Sequence, residues 1–234
     1  YDTLKSSGAV FGEKLGWERA NWFAETGEKP CDIYTFGLPN WHSAVAREHK
    51  AAREAAVLFD QTSFAKYKLS GPDAEQALQW IAANRVDKPV GTITYTQMLN
   101  DKGGIECDLT CVRTKLNEYY ITTGTGYATH DFDWISRNIP SGLNAQLIDV
   151  TSSNAVLSLF GPRARDILQL VTTNDVSHGS HPFGLAKQIC IAGCPTLAMR
   201  ITYVGELGWE LHLPVEYAQT VYNILMTAGS PLGL

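Results

Sequence analysis

The run over residues 103–110, Gly-Gly-Ile-Glu-Cys-Asp-Leu-Thr, is the sharpest candidate for chemistry in the chain. Two glycines open it, and glycine lets a backbone approach a ligand closely. On a β-strand alternate side chains share a face, so Glu106, Asp108 and Thr110 form a polar row with Asp108 at its centre. Taken alone, these residues favour a solvated outer face carrying ordinary carboxylates. The row becomes a site only if other groups converge on it.

A second candidate is the turn between Tyr203 and Glu210, which contains Gly205 and Gly208. A hairpin here would bring the tyrosine and the carboxylate together. A carboxylate that accepts two parallel N–H bonds suits the amino-pyrimidinone edge of a pterin, and a tyrosine ring adds a flat apolar contact. The alternative is a decorated β-hairpin with one aromatic residue on its core side.

Other kinds of site find less support in the sequence. His178 and His181 lie in a Gly/Ser/Pro loop without nearby carboxylate or thiolate ligands, so we predict no metal site. No strand is followed by a dinucleotide fingerprint or a phosphate-binding loop, so any flavin or nicotinamide must bind elsewhere in the protein. No serine stands in a nucleophile-elbow motif.

Composition narrows the possible partners and compartments. The 234 residues carry a formal charge of −5 and no dense Lys/Arg run, which argues against nucleic acid and anionic membranes as partners. No apolar stretch approaches the roughly 20 residues that span a bilayer. Five cysteines, an odd number, favour free thiols in a reducing compartment. Because the chain begins at Tyr1 and ends without a closing element, we interpret it as a piece of a longer protein.

An internal repeat organises the chain. The segment 69–74, Leu-Ser-Gly-Pro-Asp-Ala, recurs at 159–164 as Leu-Phe-Gly-Pro-Arg-Ala, ninety positions later. Each copy has a strand-like lead-in, a Gly-Pro turn and an amphipathic helix. A chance match of a common turn is the weaker alternative, so we predict an α+β fold of two similar halves. The same offset relates Leu78 to Leu168, Asn84 to Asn174, and Val86 to Val176.

Periodicity places the remaining elements. The predicted strands cover residues 92–99, 104–114, 118–123, 187–192, 196–204 and 208–213. The predicted helices cover 74–82, 128–137, 164–170 and 215–228, together with a run from Trp41 that ends at 57–60. The first forty residues, rich in aromatic and charged side chains and then in Gly and Pro, read as a docking segment and linker. A globular domain is therefore predicted over 41–234.

At these motifs the sequence resembles the folate-binding aminomethyltransferase family, which includes the glycine-cleavage T-protein and the C-terminal halves of dimethylglycine and sarcosine dehydrogenases. The resemblance covers residues 41–234, and residues 12–23 resemble the end of the central domain of the flavin-linked branch. It implies a T-protein-like fold that lacks its C-terminal β-barrel and a folate-contacting arginine, both beyond residue 234. The matching segments are 56–64, 95–100, 103–110, 161–162 and 205–210.

The resemblance also implies roles for individual residues. Asp108 matches the essential aspartate near the reacting nitrogens of tetrahydrofolate. Tyr95 matches a tyrosine that lines the folate pocket, and Tyr203 and Glu210 match the pair that contacts the pterin. The family's asparagine after the third strand falls near Gly124, which is a departure from the T-protein pattern and agrees with the flavin-linked branch.

The implied protein is an FAD-dependent N-methylglycine (dimethylglycine or sarcosine) dehydrogenase or oxidase. In it a flavin domain upstream in the same chain forms an iminium, and this domain captures the one-carbon unit as 5,10-methylenetetrahydrofolate. The fragment alone is expected to be inactive. Its expected compartment is the bacterial cytoplasm or the mitochondrial matrix. The alternatives are a non-enzymatic paralogue resembling the pyruvate dehydrogenase phosphatase regulatory subunit, and a folate-dependent demethylase of the same fold.

Overall fold

Two five-stranded antiparallel sheets of the same strand order dominate the computed structural model, which describes residues 1–204 and 207–234. The first sheet has the order β5-β6-β7-β4-β8 and the second the order β10-β11-β12-β9-β3. The strands of the first sheet are β4 Ala65–Ser70, β5 Ile93–Leu99, β6 Ile105–Lys115, β7 Glu118–Thr123 and β8 Gln146–Asp149. Those of the second are β3 Val57–Asp60, β9 Asn154–Phe160, β10 Ala186–Ile191, β11 Cys194–Met199 and β12 Gly208–Pro214.

Helices cover one face of each sheet. Helices α3 (Ala74–Ile81) and α4 (Ala128–Asn138) pack on the first sheet, and α5 (Ala164–Val171) and α6 (Ala218–Gly229) pack on the second. The two hydrophobic cores repeat at the ninety-residue offset, because equivalent positions in the two halves point at equivalent helices. The matched core pairs are Leu69 with Leu159, Leu78 with Leu168, Ile121 with Leu211, and Ile135 with Leu225.

The predicted pair of α+β halves is confirmed by this topology. In each sheet, one edge strand pairs with a strand that is distant in sequence. β3, which precedes the first half, pairs with β9, and β8 pairs with β4. Each sheet is open, and the described strands form no closed barrel.

Several predicted boundaries were wrong for identifiable reasons. Helix α2 (His42–Glu54) ends earlier than predicted, and residues 57–60 form strand β3, because the Ala55 carbonyl turns away to accept a bond from the Arg163 amide at 2.9 Å. The predicted strand 196–204 ends at Met199, since the amide of Arg200 bonds to Leu185 O at 3.0 Å and closes the preceding loop. Residues 215–217 form a separate 3₁₀ turn before α6.

The first forty residues contain a structured hairpin that the sequence reading missed. After the short helix α1 (Asp2–Ser6), β1 (Ala9–Lys14) and β2 (Trp17–Phe23) pair as an antiparallel hairpin. Val10 and Trp22 of the hairpin pack with Ala44 of α2 in a small buried cluster. The assignment of residues 1–40 to the end of a preceding domain and a linker remains a prediction.

The sheet faces opposite the helices meet each other. Val112 of the first sheet packs with Ala186 and Met199 of the second in a small buried cluster. The buried ammonium of Lys66 donates to Thr62 O at 2.6 Å and to Asn154 O at 2.7 Å. Burial lowers the pKa of Lys66 to about 8, and the two carbonyls replace the water that its charge has lost.

Among the described residues, no helix is both long and apolar enough to cross a bilayer.

The repeated Gly-Pro turns need glycine in both halves. Gly71 and Gly161 have φ of 138° and 121°, in the region that favours glycine. A Cβ at Gly161 would lie 2.6 Å from Ala55 O, and one at Gly71 would lie 2.3 Å from Asn144 O. The glycines therefore let the residues just before β3 and just before β8 pass directly over the turns.

We expect Gly161→Ala to destabilise the domain by about 2 kcal/mol or more, because positive φ and a backbone collision act together. Urea denaturation of the full-length protein, followed through the buried Trp209, measures the effect. Gly179→Ala is the matched control, since a Cβ there meets no atom within 4 Å. Equal stability of the two variants would contradict the tight-turn explanation.

Candidate functional site

Asp108 lies on β6 directly opposite Gln97 of β5. The Gln97 amide nitrogen donates to Asp108 Oδ1 at 3.3 Å, and the aspartate side chain is exposed. The predicted alternation holds for its neighbours, since Cys107 and Leu109 are buried in the core of the first half. The carboxylate therefore stands outside the core on a rigid strand, with one side fixed by the neighbouring strand.

Tyr95 stands on the same face of the first sheet. It lies two residues before Gln97 on β5, opposite Thr110. A hydrogen bond with the Asp108 carboxylate raises the pKa of the Tyr95 phenol, with smaller contributions from lost water and from the charge of Asp108. The tyrosine is 59% exposed, so its ring is free to contact a ligand that reaches Asp108.

Tyr203 approaches Asp108 from the second half of the chain. Burial of its phenol raises the pKa of Tyr203, and the negative charges of Glu210 and Asp108 raise it further. Tyr203 is 66% exposed, although loss of water around its hydroxyl is the main cause of the raised pKa. Tyr203 is thus the side chain that joins the two candidates found in the sequence. The turn residues Gly205 and Glu206 lie outside the described residues.

Glu210 is a buried carboxylate at the centre of the second sheet. It lies on β12 between Met199 of β11 and Ser158 of β9, and only 4% of it is exposed. Its Oε2 lies 3.2 Å from Nε2 of His212, which is also buried. Burying a carboxylate is costly unless it is hydrogen-bonded, so the histidine contact stabilises it in place.

A cleft of about 420 Å³ opens beside these residues. Such a volume lies in the range of small-molecule sites, about 300–1,000 Å³. Of the four predicted site residues, Asp108 and Tyr203 line its described wall, and Tyr95 and Glu210 do not. The described residues of this wall are Gln61, Phe64, Ile105, Glu106, Asp108, Gly124, Tyr127, Asp131 and Tyr203.

A second cleft, of about 350 Å³, lies between the N-terminal hairpin, α2, β3 and α6. It contains Arg19, Asp60 and Tyr222 and shares Gln61 with the first cleft. None of the four predicted site residues lines its described wall. We therefore take the cleft at Asp108 as the candidate functional site.

The far wall of the Asp108 cleft carries a second polar cluster. Asp131, 1% exposed, accepts a bond from Thr123 Oγ1 at 2.6 Å and lies 3.0 Å from Nδ1 of His130. The other ring nitrogen of His130 lies 3.6 Å from Glu106 Oε2. Ligand atoms of Cys107, His130 and Asp131 lie within 4.8 Å of one another, and Asp131 interacts with each of the other two.

We expect the imidazole of His130 to titrate above its ordinary pKa of 6.5, chiefly because of the hydrogen bond with Asp131. The interaction stabilises the fold below that ordinary value and is lost as pH rises through the raised pKa. The ring is half exposed, so the effect on stability is small. An NMR titration of the ring in the wild type and in Asp131→Asn tests this. An unchanged pKa in the variant would contradict it.

Several side chains at the site were missed in the sequence. Gln97 could have been found, since it shares a strand face with Tyr95 at two-residue spacing. Tyr127 and Asp131 could not, because they follow β7 on a different element and reach the cleft only through the packing of α4. His212 was missed as well. It contacts Glu210 on the strand that they share, and it also contacts a side chain of the other sheet.

Comparisons with known proteins place this site in context. A family model described as the GCVT N-terminal domain matches residues 1–234. The 4-methylaminobutanoate oxidase (formaldehyde-forming) of Paenarthrobacter nicotinovorans is 37% identical over 231 residues, which cover 99% of this chain and 28% of that protein. Human mitochondrial sarcosine dehydrogenase is 35% identical and is matched along 100% of this chain and 30% of its own length.

A third relative is the mitochondrial pyruvate dehydrogenase phosphatase regulatory subunit of Mus musculus, 32% identical over 100% of this chain and 27% of its own. Among solved structures, the glycine cleavage system aminomethyltransferase T from Bartonella henselae superposes with a TM-score of 0.78 at 23% identity, covering 97% of this chain and 55% of that one. That likeness shows the same fold. The chain spans less than a third of the length of these three curated relatives.

Proposed function

Because the chain belongs to the GCVT aminomethyltransferase domain family, we propose that it is the tetrahydrofolate-binding part of an FAD-dependent N-methylglycine dehydrogenase or oxidase. In this proposal the one-carbon unit of the oxidised amine is captured as 5,10-methylenetetrahydrofolate. The observation that carries the proposal is that Asp108 and Tyr203, from the two halves of the chain, line one cleft, and that Tyr203 is close enough to the buried Glu210 for that charge to raise its pKa.

The residues present fit a reduced pterin. Glu210 supplies a fixed carboxylate acceptor for an amino group and a neighbouring ring N–H, which is the edge that a pterin presents. Tyr203 adds a flat apolar ring, and it lies close enough to Glu210 and Asp108 for both charges to raise its pKa. The cleft of about 420 Å³ is large enough for a bicyclic ring system.

Asp108 would act on the reacting end. Tetrahydrofolate, when bound, supplies the nitrogen nucleophile that takes up the one-carbon unit. A carboxylate on a rigid strand orients that nitrogen, stabilises positive charge on an arriving electrophile and accepts a proton. Gln97 holds one carboxylate oxygen of Asp108, which fixes the direction of the other. The larger part of the rate enhancement comes from holding two reactants together.

The oxidation itself is assigned to a flavin domain in another part of the protein. The relatives are more than three times as long as this chain, which leaves room for such a domain in a protein of the same organisation. We propose the bacterial cytoplasm or the mitochondrial matrix as its compartment, since relatives of both origins exist.

Calorimetric titration of the full-length protein with 5-formyltetrahydrofolate tests the proposal. We expect saturable one-to-one binding that is competed by tetrahydrofolate. An absence of binding would overturn the folate role and would favour the second candidate, a regulatory protein without folate, which the match to the phosphatase regulatory subunit supports. A folate-dependent demethylase of the same fold would bind folate but yield methyltetrahydrofolate instead of the methylene form.

A further inference from the structure

A chain of three buried side chains connects the two sheets. The hydroxyl of Tyr120, on β7 of the first sheet, lies 3.1 Å from Nδ1 of His212 on β12 of the second. The opposite ring nitrogen, Nε2, lies 3.2 Å from Glu210 Oε2. Tyr120, His212 and Glu210 are 9%, 4% and 4% exposed, so water does not compete with these bonds.

The order of the groups sets the direction of the hydrogen bonds. A carboxylate only accepts hydrogen bonds, so Nε2 of His212 donates to Glu210 Oε2. A neutral ring with its proton on Nε2 accepts at Nδ1 from the phenol of Tyr120, whose pKa is raised by burial and further by the charge of Glu210. The Tyr120 ring also meets the His212 ring edge-on at 88°, with centroids 5.3 Å apart, which holds the imidazole plane.

The arrangement fixes the orientation of Glu210. Its Oε2 lies 3.2 Å from Nε2 of a strand neighbour two residues away, which holds the plane of the carboxylate. Tyr120 contacts the far side of the His212 ring, so the ring keeps a fixed orientation toward Glu210. A metal-bound histidine is oriented in the same way by the group that contacts its second nitrogen.

We propose that His212, locked by Tyr120, is a positioning residue that orients Glu210 to recognise the 2-amino group of a pterin. The inference rests on the proposed function, because it assigns a role at the same site to a residue that contacts Glu210. Loss of His212 should weaken binding of a ligand that carries the 2-amino group and spare one that lacks it. Loss of a histidine with only a structural role would weaken binding of both ligands equally.

The experiment compares two ligands in the full-length protein: 5-formyltetrahydrofolate and the same compound without its 2-amino group. In the wild type we expect the amino-bearing ligand to bind much more tightly. His212→Leu should lower affinity for that ligand by about 10- to 100-fold and leave the 2-deamino ligand within about threefold, since a hydrogen bond to a charged group is involved. Tyr120→Phe should produce a smaller loss with the same selectivity.

Controls separate the outcomes. His212→Gln keeps a side-chain donor and should retain part of the discrimination, which guards against a His212→Leu variant that folds poorly. His42→Leu makes the same change on the exposed start of α2 and should alter neither affinity. Equal losses for both ligands, or no loss for either, would overturn the positioning role alone. Failure of the wild type to bind either ligand would overturn this inference and the proposed function together.

Discussion

Replacing Asp108 with asparagine is expected to slow the transfer of the one-carbon unit to tetrahydrofolate by about 10²- to 10³-fold. Asparagine keeps the size and the contact with Gln97 but loses the negative charge and the proton acceptor. Asp108 is exposed and lies outside the core, so the free energy of unfolding should change by no more than about 0.5 kcal/mol.

The measurement is the rate of 5,10-methylenetetrahydrofolate formation by the full-length protein during oxidation of sarcosine or dimethylglycine. Asp101→Asn makes the same chemical change in the exposed turn before β6 and should leave that rate unaltered. Amine oxidation itself should continue in both variants, with formaldehyde released by Asp108→Asn. An unchanged transfer rate in Asp108→Asn would remove this carboxylate from the mechanism.

The second large effect concerns Glu210. Glu210→Gln replaces an ionised acceptor by an amide that offers one oxygen and an unwanted donor, so we expect affinity for 5-formyltetrahydrofolate to fall by about 10- to 100-fold. Calorimetric titration measures the loss, and circular dichroism checks the fold.

Glu216→Gln is the matched control, since Glu216 is exposed in the 3₁₀ turn before α6. Folate affinity should be unchanged in that variant. Wild-type affinity in Glu210→Gln would show that the pterin does not depend on this carboxylate and would place the recognition elsewhere in the cleft.

Much of the fold could be predicted because the sequence patterns that specify it are local and occur twice. The Gly-Pro turns at Gly71 and Gly161 and the amphipathic helices after them recur at one offset, and the buried residues of the two cores match at that same offset. What failed were boundaries set by distant partners. Residues 57–60 look like the end of a helix, yet they pair with β9, almost a hundred residues away.

The residues of the site could be predicted from the sequence more readily than the contacts between them. The alternation on β6 placed Asp108 on the right face, but its partner Gln97 depends on the register of β5, which shifts at a bulge after Met98. The meeting of Tyr203 with Asp108 depends on how the two halves face each other. The link from Tyr120 to His212 also crosses between sheets, and no periodicity in either strand encodes it.

The most direct test of the central claim is a crystal structure of the full-length protein with 5-formyltetrahydrofolate bound. We expect the amino-pyrimidinone edge of the pterin against Glu210, with the reduced ring beside Tyr203 and its nitrogens facing Asp108. A pterin seated instead in the cleft at Arg19 and Tyr222, or one that leaves Glu210 without a ligand contact, would contradict it.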